Sequence, residues 1–437
     1  MSSRLQGFNT IYVSYFRMEV EHIFASTNRQ PKSCYWIQSE SCLVISATKS
    51  VIAYYIDTKH TNKTIGCATE HEFNITSMAG NCQYFATGDQ KGNLVIWKYE
   101  SSNGLSVIKK LPKHHSDPVN NIDLILHENE IQIVSSAGDG ALKLTTIQES
   151  NTETIKIYEK SSLPLYPLCC SISRLPTGQI LIAASFDDYS LRFYMLKNSD
   201  ENSENSELEE VSRMKIGEDW TIDLNFTKSS SSSLKLAIAN NDHLLRVLEI
   251  AVSAEDESRT KNRLQVEKKI IKGTKYEIKM ETILQGHENW VTSSVWYVNQ
   301  STNELELGTC SMDKSVILWK INETGIWEDY MRLGAVGGGN LGFLGIQSGI
   351  DQSGGVSGIL AYSYTGSLHL WWNKDESYWS SAPAPSGHYD SVRDLTWSPN
   401  GSYLLTTGYD QTTRLYSKYN LPGSENKCWA ELARPQV

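Results

Sequence analysis

No CxxC pair occurs in this 437-residue chain, although it has eight cysteines: Cys34, Cys42, Cys67, Cys82, Cys169, Cys170, Cys310 and Cys428. Most stand within or beside apolar runs, which predicts free buried thiols in a reducing compartment and excludes a clustered zinc or iron–sulfur site. An apolar run long enough to cross a bilayer is also lacking, and the first residues do not join a basic segment to an adequate apolar one as a secretory signal does. The expectation is a soluble intracellular protein. Positive charge is short: 40 Lys and Arg against 50 Asp and Glu give a formal net charge of −10 and a pI near 5.6. There is no whole-chain basic field for nucleic acid, so any such contact needs a local patch. HExxH, GxxxxGK[ST] and GxSxG are absent, which removes the commonest signs of zinc-protease, P-loop and serine-hydrolase chemistry.

What is present is aromatic and β-forming. Twelve Trp, twenty-two Tyr and 40% hydrophobic residues suit a β-rich globular protein. The most regular stretch runs from Gly286-His287-Glu288-Asn289-Trp290-Val291 to Ser311-Met312-Asp313-Lys314-Ser315-Val316-Ile317-Leu318-Trp319. A Gly-His pair, two short β-rich runs, and an Asp followed six residues later by Trp make this the layout of a WD-type propeller blade. Such a blade must fix a loop-to-strand crossover and a tight hairpin together. An imidazole, a hydroxyl, a carboxylate and an indole N–H can do so in series, with His287, Thr309 or Ser311, Asp313 and Trp319 in those places. A near copy begins at Gly387-His388 and passes Asp410 to Tyr416, giving His388 and Asp410 the same structural role.

Weaker copies bring the count to eight. The first holds Tyr35-Trp36-Ile37. The second runs from His71 to Trp97 with Lys91 in the aspartate place, so its network is expected to be incomplete. The third runs from His115 to Asp139 with Thr145 where tryptophan would stand; adjacent His114 and His115, read as strand residues, face opposite ways, which argues against a metal pair. The fourth spans Tyr166 to Tyr194 and the fifth Gly217 to Ile250. The seventh, from about Gly325 to Trp371, opens on a glycine-rich front at 334–342 whose GxGxxG match has no βαβ setting and so carries no nucleotide reading. Residues 1–17 alternate weakly, and Val20 to Ala25 read as the strand that joins the last blade to close a ring.

Two inserts interrupt the pattern. Residues 198–210, rich in Asp, Glu, Asn and Ser, read as a solvated loop. Residues 251–280 carry Lys261, Arg263, Lys268, Lys269, Lys272, Lys275 and Lys279, and read either as a solvated connection or as a contact surface for an acidic protein or RNA. Candidate partner contacts are rim aromatics and arginine, namely Trp220, Trp290 and Arg332, beside the 334–342 glycines.

A further set of segments is not generic to such repeats: Glu21-His22-Ile23-Phe24-Ala25 with Asn28-Arg29, Tyr166-Pro167-Leu168-Cys169, Glu218-Asp219-Trp220, Gly286-His287-Glu288-Asn289-Trp290, Thr324-Gly325-Ile326-Trp327 with Arg332-Leu333-Gly334, Trp397-Ser398-Pro399, Asp410-Gln411-Thr412-Thr413-Arg414-Leu415 and Arg434-Pro435-Gln436. In this order they resemble the second-subunit family of the Elongator complex, scaffolds with two seven-bladed WD propellers in tandem. The resemblance implies an extension at 1–17, a first propeller over 18–380 and the first blade of a truncated second propeller at 381–437; a single eight-bladed ring is the alternative. It implies a non-catalytic subunit without cofactor or metal that supports wobble-uridine modification of transfer RNA by binding the catalytic and largest subunits, in the cytoplasm and also the nucleus. Transfer RNA would be met indirectly or through a local patch. An adaptor of another multiprotein assembly is the competing function.

Overall fold

The computed structural model describes residues 12–15, 19–22, 27–28, 30, 32–56, 61–128, 130–148, 152–158, 165–196, 208–252, 266–271, 274–334, 342–351, 353–375, 378–420 and 427–435. Among these, strands account for all regular structure apart from one 3-10 turn at Gln38–Glu40. Eight antiparallel sheets follow one another along the chain, each built from consecutive strands. They begin at Cys34–Ile37, Ile75–Asn81, Val119–His127, Pro167–Arg174, Thr221–Ser230, Val291–Val298, Phe343–Ile350 and Val392–Trp397, and are numbered here as blades one to eight. Strands such as Ile180–Phe186 and Ser233–Asn240 are buried along their whole length. A blade is covered on both faces by its neighbours, so the inward/outward alternation of a one-sided sheet gives way to continuous apolar runs.

The hydrophobic core is divided by this architecture into seven clusters among the described residues. Six join consecutive blades from one to seven. The seventh joins blade seven back to blade one and takes in part of blade eight. Trp36 of blade one, 1% exposed, is the hub of that seam. Its ring meets Trp372 edge-on at 5.5 Å, and it lies so close to blade seven that a Cβ on Gly349 would come within 2.1 Å of its Cε2 atom. The Ser33 N–H donates across the same seam to the Tyr362 hydroxyl at 2.9 Å.

Several expectations are corrected here. Glu19–His22 pairs with Tyr12–Tyr15, and blade seven has four strands of its own, so the N-terminal strand does not complete the last blade. Among the described residues, blades seven and one therefore meet through side chains and not through a shared strand. Trp327–Gly334, counted with the seventh sequence repeat, is the outer strand of blade six, because the repeat is offset from the sheet by one strand. Part of the basic insert is sheet: Val266–Ile271 and Thr274–Gln285 extend blade five to five strands. The end of the acidic insert, Glu209 and Glu210, lies in the outer strand Leu208–Lys215 of blade four; residues 198–207 lie outside the described residues.

Blade eight differs from the others. Its first strand exposes Arg393, Asp394 and Thr396, whereas seven of the eight residues in Val291–Val298 are buried. Arg434, after its last strand, donates to Ser367 Oγ of blade seven at 2.6 Å.

Candidate functional site

The blade locks can be followed atom by atom. In blade six, His287 Nδ1 lies 2.9 Å from Asp313 Oδ2 and Nε2 lies 2.9 Å from Thr309 Oγ1, which also receives the Trp319 indole N–H at 2.9 Å. A carboxylate only accepts, so Nδ1–H donates to Asp313, Nε2 accepts the Thr309 hydroxyl, and that oxygen accepts from Trp319. Burial alone would push the Asp313 carboxyl up, but hydrogen bonds from His287, Ser315 and the Glu288 N–H hold it well below the usual range. Thr309 is thus the hydroxyl of the relay. Ser311 instead donates to Asn289 O at 3.1 Å and accepts the Asp313 N–H at 3.1 Å. Blade eight repeats the arrangement, with His388 2.9 Å from Asp410 and 2.8 Å from Thr406.

Three departures were hidden in the sequence. Blade two has a complete lock after all: His71 is 3.0 Å from Asp89 and 2.7 Å from Thr87, which accepts the Trp97 indole N–H at 2.8 Å. Its carboxylate enters two residues ahead of Lys91, at the end of the strand, and Lys91 is left on the exposed hairpin. In blade three Thr145 replaces tryptophan, and His114 fills the gap with Nε2 3.4 Å from both Ser135 and Thr145. His114 and His115 stand in a loop with their rings edge to face at 5.0 Å, so the opposite-faces reasoning does not apply to them. No cluster of three or more potential metal ligands occurs among the described residues. In blades four and five, which lack the histidine, an Asp-x-x-x-Arg pair ties the hairpin: Arg192 to Asp188 at 2.9 Å, and Arg246 to Asp242 through two bonds of 3.0 and 2.7 Å. Blade eight has this pair too, with fully buried Arg414 3.5 Å from Asp410 and 2.8 Å from Glu431. The recurring i,i+4 spacing was the available signal.

Charged groups also meet near the ring axis. Lys32, ahead of blade one, places its ammonium 3.3 Å from Asn121 of blade three and 3.4 Å from Asp223 of blade five, and residues of blades one, three and five converge only towards the axis. Burial alone would lower its pKa, but Asp223 and Asp123 outweigh that and raise it. The two aspartates also clamp neighbouring blades: Asp123 accepts from Ser171 and the Ile172 N–H, and Asp223 from Ser293 and the Ser294 N–H. These convergent polar groups hold one another.

The rim residues fall as follows. Trp220 and Trp290 immediately precede the first strands of neighbouring blades five and six and are 47% and 49% exposed. The two are held alike. The side-chain oxygen of the preceding Asp219 or Asn289 accepts the tryptophan backbone N–H at 2.7 or 2.8 Å, and the tryptophan carbonyl accepts the backbone N–H of Asn241 or Met312 at 3.0 Å. Arg332, on the outer strand of blade six, donates to Gly286 O at 2.7 Å and so braces the loop that carries Trp290. Gly342 packs against the Met312 backbone, whereas 335–341 lie outside the described residues. Of the seven insert cations, Lys275 is exposed and Lys279 pairs with Glu249. Lys268 and Lys269 have described backbone only, in strand Val266–Ile271, while Lys261, Arg263 and Lys272 lie outside the described residues.

Eight consecutive four- or five-stranded sheets, six of them with a His-Asp or Asp-Arg hairpin lock among the described residues, define a WD-repeat β-propeller protein. The family described as "WD domain, G-beta repeat" matches residues 278–320 and 381–417, the two most regular repeats. The beta-propeller domain of Myceliophteria thermophila Cps50 (Swd1) superposes with a TM-score of 0.52 at 14% identity, covering 81% of this chain and all of that domain, which supports the fold. Nearly the whole chain is similar to curated proteins named Elongator complex protein 2: 28% identical to that of Danio rerio over 96% of this chain, and 30% identical to that of Drosophila melanogaster over 82%. These relatives bear out the resemblance read from the sequence. The chain spans about half of their length, 51% and 46% respectively.

Proposed function

We propose that this chain acts as a non-catalytic scaffold subunit of an Elongator complex and supports wobble-uridine modification of transfer RNA by binding the catalytic and largest subunits. The observation that carries the reading is similarity to Elongator complex protein 2 along the chain as a whole and not in the repeats alone. A propeller suits the role because it holds many loops rigidly around one ring, and rigid loops with large side chains bind at low entropic cost. Trp220 and Trp290 are the anchors of this proposal. Each indole stands half exposed on a loop whose backbone is already fixed. The same reading takes 1–17 as an extension, 18–380 as a seven-bladed ring and 381–437 as the first blade of a second ring. Direct contact between Trp36 and blade seven supports it over an eight-bladed ring.

The test is affinity purification of the tagged chain from cells of its source. The Elongator catalytic and largest subunits should copurify at constant ratio. Their absence, with another stable set of partners present, would replace this reading with that of an adaptor for a different assembly.

A further inference from the structure

A groove of about 790 Å³ opens between blades two and three, away from the tryptophan pair. Two exposed lysines from separate loops line it, Lys91 on the blade-two hairpin and Lys113 on the connection between blades; Lys143, in the blade-three strand Leu142–Ile147, also borders it but gives its ammonium to the His114 carbonyl. Lys91 lies 5.8 Å above the ring of Phe73, which with Pro112 and Ala141 forms an apolar wall. In a chain of net charge −10 this concentration of cations is local.

We propose that the groove docks an acidic peptide segment, carboxylates on the lysines and an apolar side chain against Phe73. The counter-charge already present is largely spent. Asp139 accepts from His115, Ser116 N–H and Ala141 N–H, leaving Glu72 as the remaining acid of the lining. His114, which burial drives down to about 3, adds no charge at neutral pH. A phosphate fits less well. Phosphate sites present unused backbone N–H groups to the anion, but here those of Lys91 and Asn93 donate to Asp89, that of Lys113 to Asn93 Oδ1, and that of His115 to Gly92 O. The exposed ammonium groups of Lys91 and Lys113 lie along a groove beside an apolar wall, the layout for an extended segment. Asp89 supplies the blade-two lock, so residue 91 is not drawn into it and Lys91 stands on the exposed hairpin.

The test uses a fluorescein-labelled Glu/Asp peptide of about ten residues with one central Leu, followed by fluorescence polarisation against the full chain at rising salt. Lys91 and Lys113 are exposed, so K91E/K113E should fold normally, which circular dichroism checks, and should weaken binding about tenfold or more. F73A should weaken it a few-fold, and replacing the Leu with Ser should remove that difference. The exposed blade-five change K228E should leave affinity unaltered. Affinity unchanged in K91E/K113E, or lost equally in K228E, overturns the proposal. Full displacement of the peptide by inorganic phosphate at equal ionic strength overturns it in favour of a phosphate site.

Discussion

The seam between blades one and seven, made without a shared strand, should be sensitive to added bulk, and Gly349 gives a sharp test. A Cβ there would lie 2.1 Å from Trp36 Cε2 and 2.2 Å from Cδ2, far inside the roughly 3.4 Å of ordinary contact. The obstacle is a rigid indole, 1% exposed and held edge-on by Trp372, so it cannot swing aside as a lysine would. Gly349→Ala must therefore push blades one and seven apart or displace the indole, at a cost of about 1–3 kcal/mol for overpacking. Trp36→Leu removes the obstacle and leaves a cavity, at about 2–4 kcal/mol on the scale of large-to-small core changes. The informative quantity is the coupling. In the Trp36→Leu background the added methyl fills part of the cavity, so Gly349→Ala should cost nothing or stabilise slightly, giving a coupling of about 1–3 kcal/mol. Urea unfolding followed by far-ultraviolet circular dichroism of the four variants measures it. Strict additivity would show that the methyl group does not meet Trp36 and would refute the account of ring closure.

Acid should unlock the blades. Burial works against ionised Asp89, Asp313 and Asp410, yet hydrogen bonds from His71, His287 and His388 among others leave their folded pKa values below the ordinary 3.8 of an aspartate. A lowered carboxyl pKa contributes stability that is present above 3.8 and is lost as pH falls through that value towards the folded one, so urea midpoints should drop between about pH 5 and pH 3. His287→Ala should be destabilising at neutral pH and show a shallower acid slope; an unchanged slope would remove Asp313 as a contributor. Arg414→Leu strands Asp410 and Glu431 without their buried guanidinium and should cost about 3 kcal/mol or more, read as faster hydrogen exchange confined to blade eight. Exchange rising equally in blades two to six would refute that local role. Trp220→Ala and Trp290→Ala should each weaken subunit capture by about 2 kcal/mol with thermal midpoints nearly unchanged, since each indole is half exposed; a matching loss of stability would make them packing residues.

The sequence by itself determined the repeat. Gly-His, Asp and Trp at fixed spacing in residues 286–319, with the near copy from 387, were enough for the WD fold because each lock is made within one blade by residues close in sequence. The family was legible as well, through segments outside those locks. Interactions between distant residues were decided by the tertiary structure. Asp89 completes blade two from a place that strict spacing assigns to Lys91, because hydrogen bonding depends on where a carboxylate reaches and not on its ordinal position. His114 stands in for a missing indole from a loop that was read as strand. The closure of blade seven on blade one, the meeting of Lys32 with Asp223 and the groove at Lys91 and Lys113 all join residues from different blades. A local pattern specifies the blade, whereas contacts between blades depend on how many blades pack around the axis and at what angle, and no single repeat encodes that.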